Sequence, residues 1–97
     1  MPTAKYKESI IDPDFTRCHI CGSRIGLEIH HAMNGPDRKK STEYGLTVAL
    51  CRSCHTGPNG VHSNRELENR IKAEAQRAFQ REYPDLDWMR IFHRNWL

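Results

Sequence analysis

Ten side chains in this 97-residue chain stand out for the chemistry they could do: four cysteines and six histidines. The cysteines form two pairs, Cys18-x2-Cys21 and Cys51-x2-Cys54, with 29 residues between them. A CxxC pair sets two thiolates on one tight turn, and two such knuckles complete a tetrahedron around Zn2+. In a chain whose first residues, Met1-Pro2-Thr3-Ala4-Lys5, lack an apolar signal core, this spacing reads as zinc rather than as two disulfides. Gly22, directly after the first pair, suits a knuckle turn. Four free thiols or a redox pair are the competing readings.

Four of the histidines lie close to this scaffold. His30 and His31 end a strand-like run, His55 directly follows the second CxxC, and His62 comes seven residues later. If both knuckles share one zinc, strands paired between them bring His30 and His31 near His55. A neutral imidazole, with an unperturbed pKa of ~6.5, acts as a general base at pH 7. Further imidazoles hold a second divalent ion that stabilises charge on a transferred phosphoryl group. Together these are the parts of a minimal phosphodiesterase. His62 reads either as a ligand or as a brace for the following turn. His19 and His93 read as ordinary surface or satisfied core residues.

The elements that must position these groups are short. Residues 1–17, broken by Pro2 and Pro13, read as an N-terminal arm whose Ile10, Ile11 and Phe15 pack on the domain; residues 18–97 read as a single domain. Gly26-Leu27-Glu28-Ile29-His30-His31 alternates as a strand, and Leu46–Leu50 is a second strand running into the second knuckle. Residues 32–45 read as a polar loop turning at Asn34-Gly35-Pro36, and Thr56–Gly60 as another turn. From residue 63 the period changes. Leu67, Ile71, Ala75, Ala78, Phe79 and Tyr83 form one face of a helix about 30 Å long, with Ser63 and Glu66 as a capping box and Pro84 beyond its end. A second helix over roughly 86–94, capped by Asp85, buries Trp88, Ile91 and Phe92. The fold class is therefore α+β: a zinc-stapled strand–loop–strand core over 18–62, then a long and a short C-terminal helix over 63–97.

Composition agrees. Only 37% of residues are hydrophobic and mean hydropathy is −0.79, so no run approaches a membrane span. A chain this short buries only about 60–65% of its unfolded surface, which leaves a thin core in need of a metal staple. A net charge of +3 permits nucleic-acid binding without demanding it.

CxxC, a strand ending in His-His, a loop, a strand and then CxxC-His resembles the HNH endonucleases with their ββα-metal fold, on the segments LEIHH and LTVALCRSCH. The run RKKSTEYGLTVALCRSCHTGPNGVHSN and the terminal FHRNWL look like small phage-encoded HNH proteins, relatives of recombination-enhancement, RecA-dependent nucleases. The resemblance implies that His31 is the general base. His30 and His55 would be catalytic as ligands of the working Mg2+ or Mn2+, with His62 completing that site. Cys18, Cys21, Cys51 and Cys54 would hold a purely structural Zn2+. It also implies 5′-phosphate and 3′-hydroxyl product ends, DNA as substrate, a recombinase filament or a second copy of the chain as partners, and a bacterial cytoplasm as location. One departure stands out: the family's middle Asn, about five residues before the second CxxC, is replaced here by Gly45-Leu46. Asn34 or a backbone group is the candidate substitute for orienting the base.

DNA backbone contacts are expected from Arg38, Lys39 and Lys40, and from some of Arg65, Arg70, Lys72, Arg77 and Arg81. Two other readings compete with the nuclease: a non-catalytic zinc module that binds nucleic acid, and a recombination adapter docking through Trp88, Phe92 and Trp96.

Overall fold

The computed structural model describes residues 8–97, so the first part of the expected arm lies outside the described residues. Two strands, β1 (Leu27–His31) and β2 (Thr47–Cys51), pair antiparallel with Leu27 opposite Cys51 and His31 opposite Thr47. This register folds the chain back on itself so that the two CxxC turns meet at one end. His30 and His31 lie at the other. Around the sheet are four helices among the described residues: α1 (Arg38–Tyr44), α2 (Arg52–Thr56), α3 (Arg65–Glu82) and α4 (Trp88–Phe92). The result is a small α+β fold, and no described helix is long and apolar enough to cross a membrane.

All five residues of β2 are buried. Its apolar side chains Val48 and Leu50 enter a core with Leu46, Ile71, Ala75, Phe79, Trp88 and Phe92. The strand's free edge is covered as well: Ser9 Oγ donates to the Thr47 carbonyl, and the His19 amide donates to Ala49 at 2.8 Å. Such cover blunts an otherwise open sheet edge. Of the arm's apolar residues, Ile10 and Ile11 pack on the core while Phe15 is only half-buried. His19 fastens arm to helix, its Nδ1 2.8 Å from Asp12 and its Nε2 2.9 Å from Glu74. Burial works to lower the His19 pKa, but the two carboxylates outweigh it and raise it.

Several local expectations need correction. Residues 32–45 are not a loop: a 3-10 turn at Gly35–Asp37 leads into α1, ended by Gly45 in the left-handed region at φ 74°. Lys, Ser, Thr and Glu are tolerable helix formers, and the helix is secured by buried Ser41, whose hydroxyl bonds both the amide and the carbonyl of Met33 at 2.8 Å. Arg38, Lys39 and Lys40 are therefore helical. The cap of α3 is Asn64, accepting from the Leu67 amide at 3.1 Å, rather than Ser63. The cap of α4 is Asp87 rather than Asp85, and α4 is shorter than expected. Asparagine and aspartate cap as well as serine, so position relative to the first helical turn decided which one served.

The last helix also removes two of the three aromatics, Trp88 and Phe92, from the expected adapter surface. Trp88 is 2% exposed and Phe92 3%, both against Phe79, with ring centroids 5.3 Å and 5.9 Å away. The indole of Trp88 donates to the Arg94 carbonyl at 2.7 Å. These two aromatics are core, as the helical period implies, while Trp96 stays half-buried beyond the helix.

Candidate metal centre and histidine cleft

The first knuckle is built by backbone geometry. The Gly22 amide donates to the Cys18 carbonyl at 2.9 Å, and the amides of Ile20 and Cys21 point at Cys18 Sγ from 3.4 and 3.5 Å. Cys51 ends β2 and Cys54 sits on the single turn of α2. All four sulfurs lie within 4.8 Å of one another. Sulfurs at ~2.3 Å from a tetrahedral zinc stand ~3.8 Å apart. The 3.6 Å between Cys21 and Cys51 fits that spacing, and no disulfide forms. Four thiols this close cannot all ionise without a cation. Burial opposes ionisation of Cys18, but backbone amides from Cys21, Cys51 and Ile20 bring its pKa down to about 6. Burial first, and then proton sharing with Cys51, Cys21 and Cys18, pushes Cys54 far up. The donor set and its spacing fit a structural Zn2+.

The second cluster is made of imidazoles. His30, His55 and His62 each offer one nitrogen, and these three atoms also lie within 4.8 Å of one another. His55 Nδ1 donates to Glu28 Oε1 at 2.8 Å, which fixes its tautomer and turns a lone pair outward at Nε2. That Nε2 is 3.1 Å from His62 Nε2. His30 is 2% exposed, and its Nε2 is buried with no hydrogen-bond partner among the described residues. Burial, with His55 and His62 adding to it, drives the His30 pKa down to about 3, so the ring stays neutral. Nitrogens ~2.1 Å from a tetrahedral metal stand ~3.4 Å apart, so three converging imidazole nitrogens, that of His30 without a hydrogen-bond partner among the described residues, are a donor set suited to a divalent ion.

Chain geometry explains the convergence. Glu28 and His30 are two residues apart on β1 and so share a face, which is why both reach His55. His62 is delivered by a close backbone approach. The amides of Val61 and His62 donate to the carbonyls of Cys54 and His55 at 2.8 and 3.3 Å. Only glycine fits at position 60, where a Cβ would stand 2.8 Å from backbone atoms of Cys54 and His55.

His31 lies on the opposite face of the strand, as alternation requires, yet it lines the same cleft of about 310 Å3 as His30, His55 and His62. The cleft wraps the end of β1 rather than one face of it. His31 Nε2 is 3.0 Å from Thr42 Oγ1, and that hydroxyl is 3.4 Å from the Arg38 carbonyl. With Thr42 donating to the carbonyl, Nε2 carries the proton and Nδ1 the lone pair. Burial, then the charge of Arg38, lowers the His31 pKa.

Thr42, not Asn34, is thus the side chain that meets His31. Asn34 lines the cleft but gives its amide to Glu68 at 3.1 Å. Arg38 is exposed at the cleft and Lys39 is exposed on α1. Lys40 differs: its ammonium donates to the Ile91 carbonyl at 2.8 Å and is 3.7 Å from Asp37. On α3, Lys72 is half-buried and 3.6 Å from Glu68, while Arg65, Arg70, Arg77 and Arg81 are exposed. Glu28 and Thr42 were the residues that sequence reasoning missed. Strand alternation from His30 could have found Glu28; nothing marked Thr42 once its segment was read as a loop.

Fold and site together define a small α+β domain carrying two separate clusters of metal-ligating side chains. Comparison with protein-family models, curated proteins and solved structures finds no match for the chain, so a functional reading must stand on its own residues.

Proposed function

We propose that the protein is a metal-dependent DNA endonuclease of the HNH type, hydrolysing phosphodiester bonds around one divalent ion. The observation that carries this reading is the convergence of His30, His55 and His62 in one cleft with a fourth imidazole, His31, whose Nε2 meets the Thr42 hydroxyl at 3.0 Å. His31 Nδ1 takes a proton from the water that attacks phosphorus in line. Thr42 holds the ring in the tautomer this needs. Arg38, at the cleft, draws in the phosphate and offsets its charge. When bound, the divalent ion supplies Lewis-acid stabilisation of charge on the phosphoryl group and the departing 3′ oxygen. The three-nitrogen donor set favours Mn2+ over Mg2+, which prefers oxygen. Arg38 and Lys39 are the basic side chains available to the DNA backbone beside the cleft.

A non-catalytic zinc module would account for the four sulfurs but gives no reason for three imidazole nitrogens to converge. The adapter reading keeps only Trp96 of its three aromatics at the surface, with Trp88 and Phe92 in the core. The deciding assay is nicking of supercoiled plasmid in Mn2+ or Mg2+ by the protein and by a His31→Ala variant of equal zinc content. Metal-dependent nicking by the first alone supports the reading. Silence from both, on plasmid and on single-stranded DNA bearing a recombinase filament, hands the lead to the zinc module.

A further inference from the structure

Beside the histidine cleft lies a second concavity of about 210 Å3, lined by Arg65, Glu68, Asn69 and Lys72 of α3 and by Arg94 and Trp96 of the C-terminal segment. Three of these six side chains are cations and one is a carboxylate. Lys72 Nζ and the Arg94 guanidinium carbon sit 4.6 and 4.1 Å from the centroid of the same Trp96 ring. Glu68 counters Lys72 alone, at 3.6 Å. The side chains of Arg65 and Arg94 have no hydrogen bond or ion pair among the described residues. The Trp96 indole N–H, shielded from solvent, has no acceptor either.

This arrangement is fixed rather than loose. Gln76, buried on α3, accepts from the Trp96 amide at 2.7 Å and donates to Asn95 at 2.9 Å, clamping the tail against the helix. The two concavities abut, because Glu68 of the pocket accepts from Asn34 of the cleft at 3.1 Å. The charge of Lys72 also reaches His30. Cations gathered on one ring repel one another unless an anion joins them, and guanidinium forks match the paired oxygens of a phosphodiester. A ligand that fills both concavities needs anionic groups repeated along its length, which a nucleic-acid strand has.

We propose that this pocket is a phosphate-binding subsite, gripping a non-scissile backbone phosphate of the strand that lies in the histidine cleft through Arg65, Arg94 and Lys72. The identity of the ligand rests on the nuclease reading; the pocket does not.

The test is binding of a labelled single-stranded oligonucleotide to zinc-loaded protein, without added Mn2+ or Mg2+, by fluorescence anisotropy across a salt series. Arg65→Gln and Arg94→Gln each weaken binding roughly tenfold, as loss of a charged hydrogen bond does. Each also lowers the slope of log affinity against log salt by about 0.7. Arg90→Gln, which removes the same charge at an exposed position of α4 outside the pocket, leaves both nearly unchanged. Arg94→Gln could loosen the tail by unstacking Trp96, so Arg65→Gln, which breaks no hydrogen bond, ion pair or ring contact among the described residues, is the deciding variant. Equal losses in Arg65→Gln and Arg90→Gln mean that only net charge counts, and overturn the subsite. Unchanged binding by Arg65→Gln in a protein that still nicks plasmid overturns the subsite and leaves the nuclease standing. A wild-type protein that neither binds nor cuts removes both.

Discussion

The two clusters of ligating side chains are built on opposite plans. The cysteine cluster has four donors of one kind on two tight turns, with its geometry fixed by backbone amides and by the β1–β2 register. Four sulfurs complete a tetrahedron and leave no position for substrate. The histidine cluster has three donors, brought from a strand, a single helical turn and a loop, and it opens into a cleft containing a fourth imidazole. Side chains orient its rings, Glu28 on His55 and Thr42 on His31, while a backbone approach at Gly60 delivers His62. A closed site made by backbone holds a fold together; an open site made by oriented side chains is suited to reacting with something. The comparison can be broken at either end.

The largest effect is expected at the closed site. A zinc-stripping chelator, or Cys51→Ser, should abolish cooperative thermal unfolding, because structural zinc contributes on the order of 10 kcal/mol to folding in small domains. Circular dichroism against zinc content checks this. A chain that keeps its full unfolding transition without metal would show the thiols to be incidental. The triple replacement of His30, His55 and His62 by Ala should by contrast leave the tight zinc in place.

Next comes the base. His31→Ala should lower nicking by about 100- to 10,000-fold, the usual contribution of a general base, with zinc content and unfolding midpoint little changed. His93→Ala, an exposed residue ending α4, serves as the matched control. Equal losses in both variants would mean that His31 has no special role.

The third prediction concerns the joint between the clusters. Gly60 packs against the backbone of Cys54, a sulfur donor, and of His55, an imidazole donor. Gly60→Ala therefore presses on both plans at once, at a cost of about 1–3 kcal/mol in stability, typical of overpacking. The displaced loop carries His62, so Mn2+ affinity should fall in the same variant. Falling affinity at unchanged stability would place Gly60 with the open site alone.

What the sequence made legible follows the same division. The sulfur site was readable because CxxC spacing alone nearly determines a knuckle, and the core face of α3 because its period is long. The gathering of His30 and His55 followed from strand pairing. Less visible were the parts set by tertiary contacts. α1 was hidden in a polar run whose helicity depends on Ser41 reaching back to Met33, a bond that no local pattern announces. With α1 went Thr42. Alternation sends His30 and His31 to opposite faces of the strand, and they share one cleft because it wraps the strand's end.

The smallest effect should come from the carboxylate behind His55. Glu28 accepts the His55 Nδ1 proton, and that hydrogen bond, with the nearby Arg52 guanidinium adding to it, holds the Glu28 carboxyl below its usual range. A carboxylate placed behind an imidazole ligand raises its basicity and fixes its ring, and its removal typically costs 10- to 100-fold in metal affinity. Glu28 is about one-third exposed, so solvent can replace part of what it does, and about tenfold is expected for Glu28→Ala. Glu28→Gln keeps an acceptor in the same place and should lose less. Titration with Mn2+ by calorimetry on zinc-loaded protein measures both. If Glu28→Ala weakens Mn2+ binding while the cysteine zinc is untouched, the side-chain-built site is separable from the backbone-built one. If neither variant changes Mn2+ affinity, the Glu28 carboxylate does not tune His55 as a ligand; if the wild-type protein binds no Mn2+ at all, the open cluster is not a metal site.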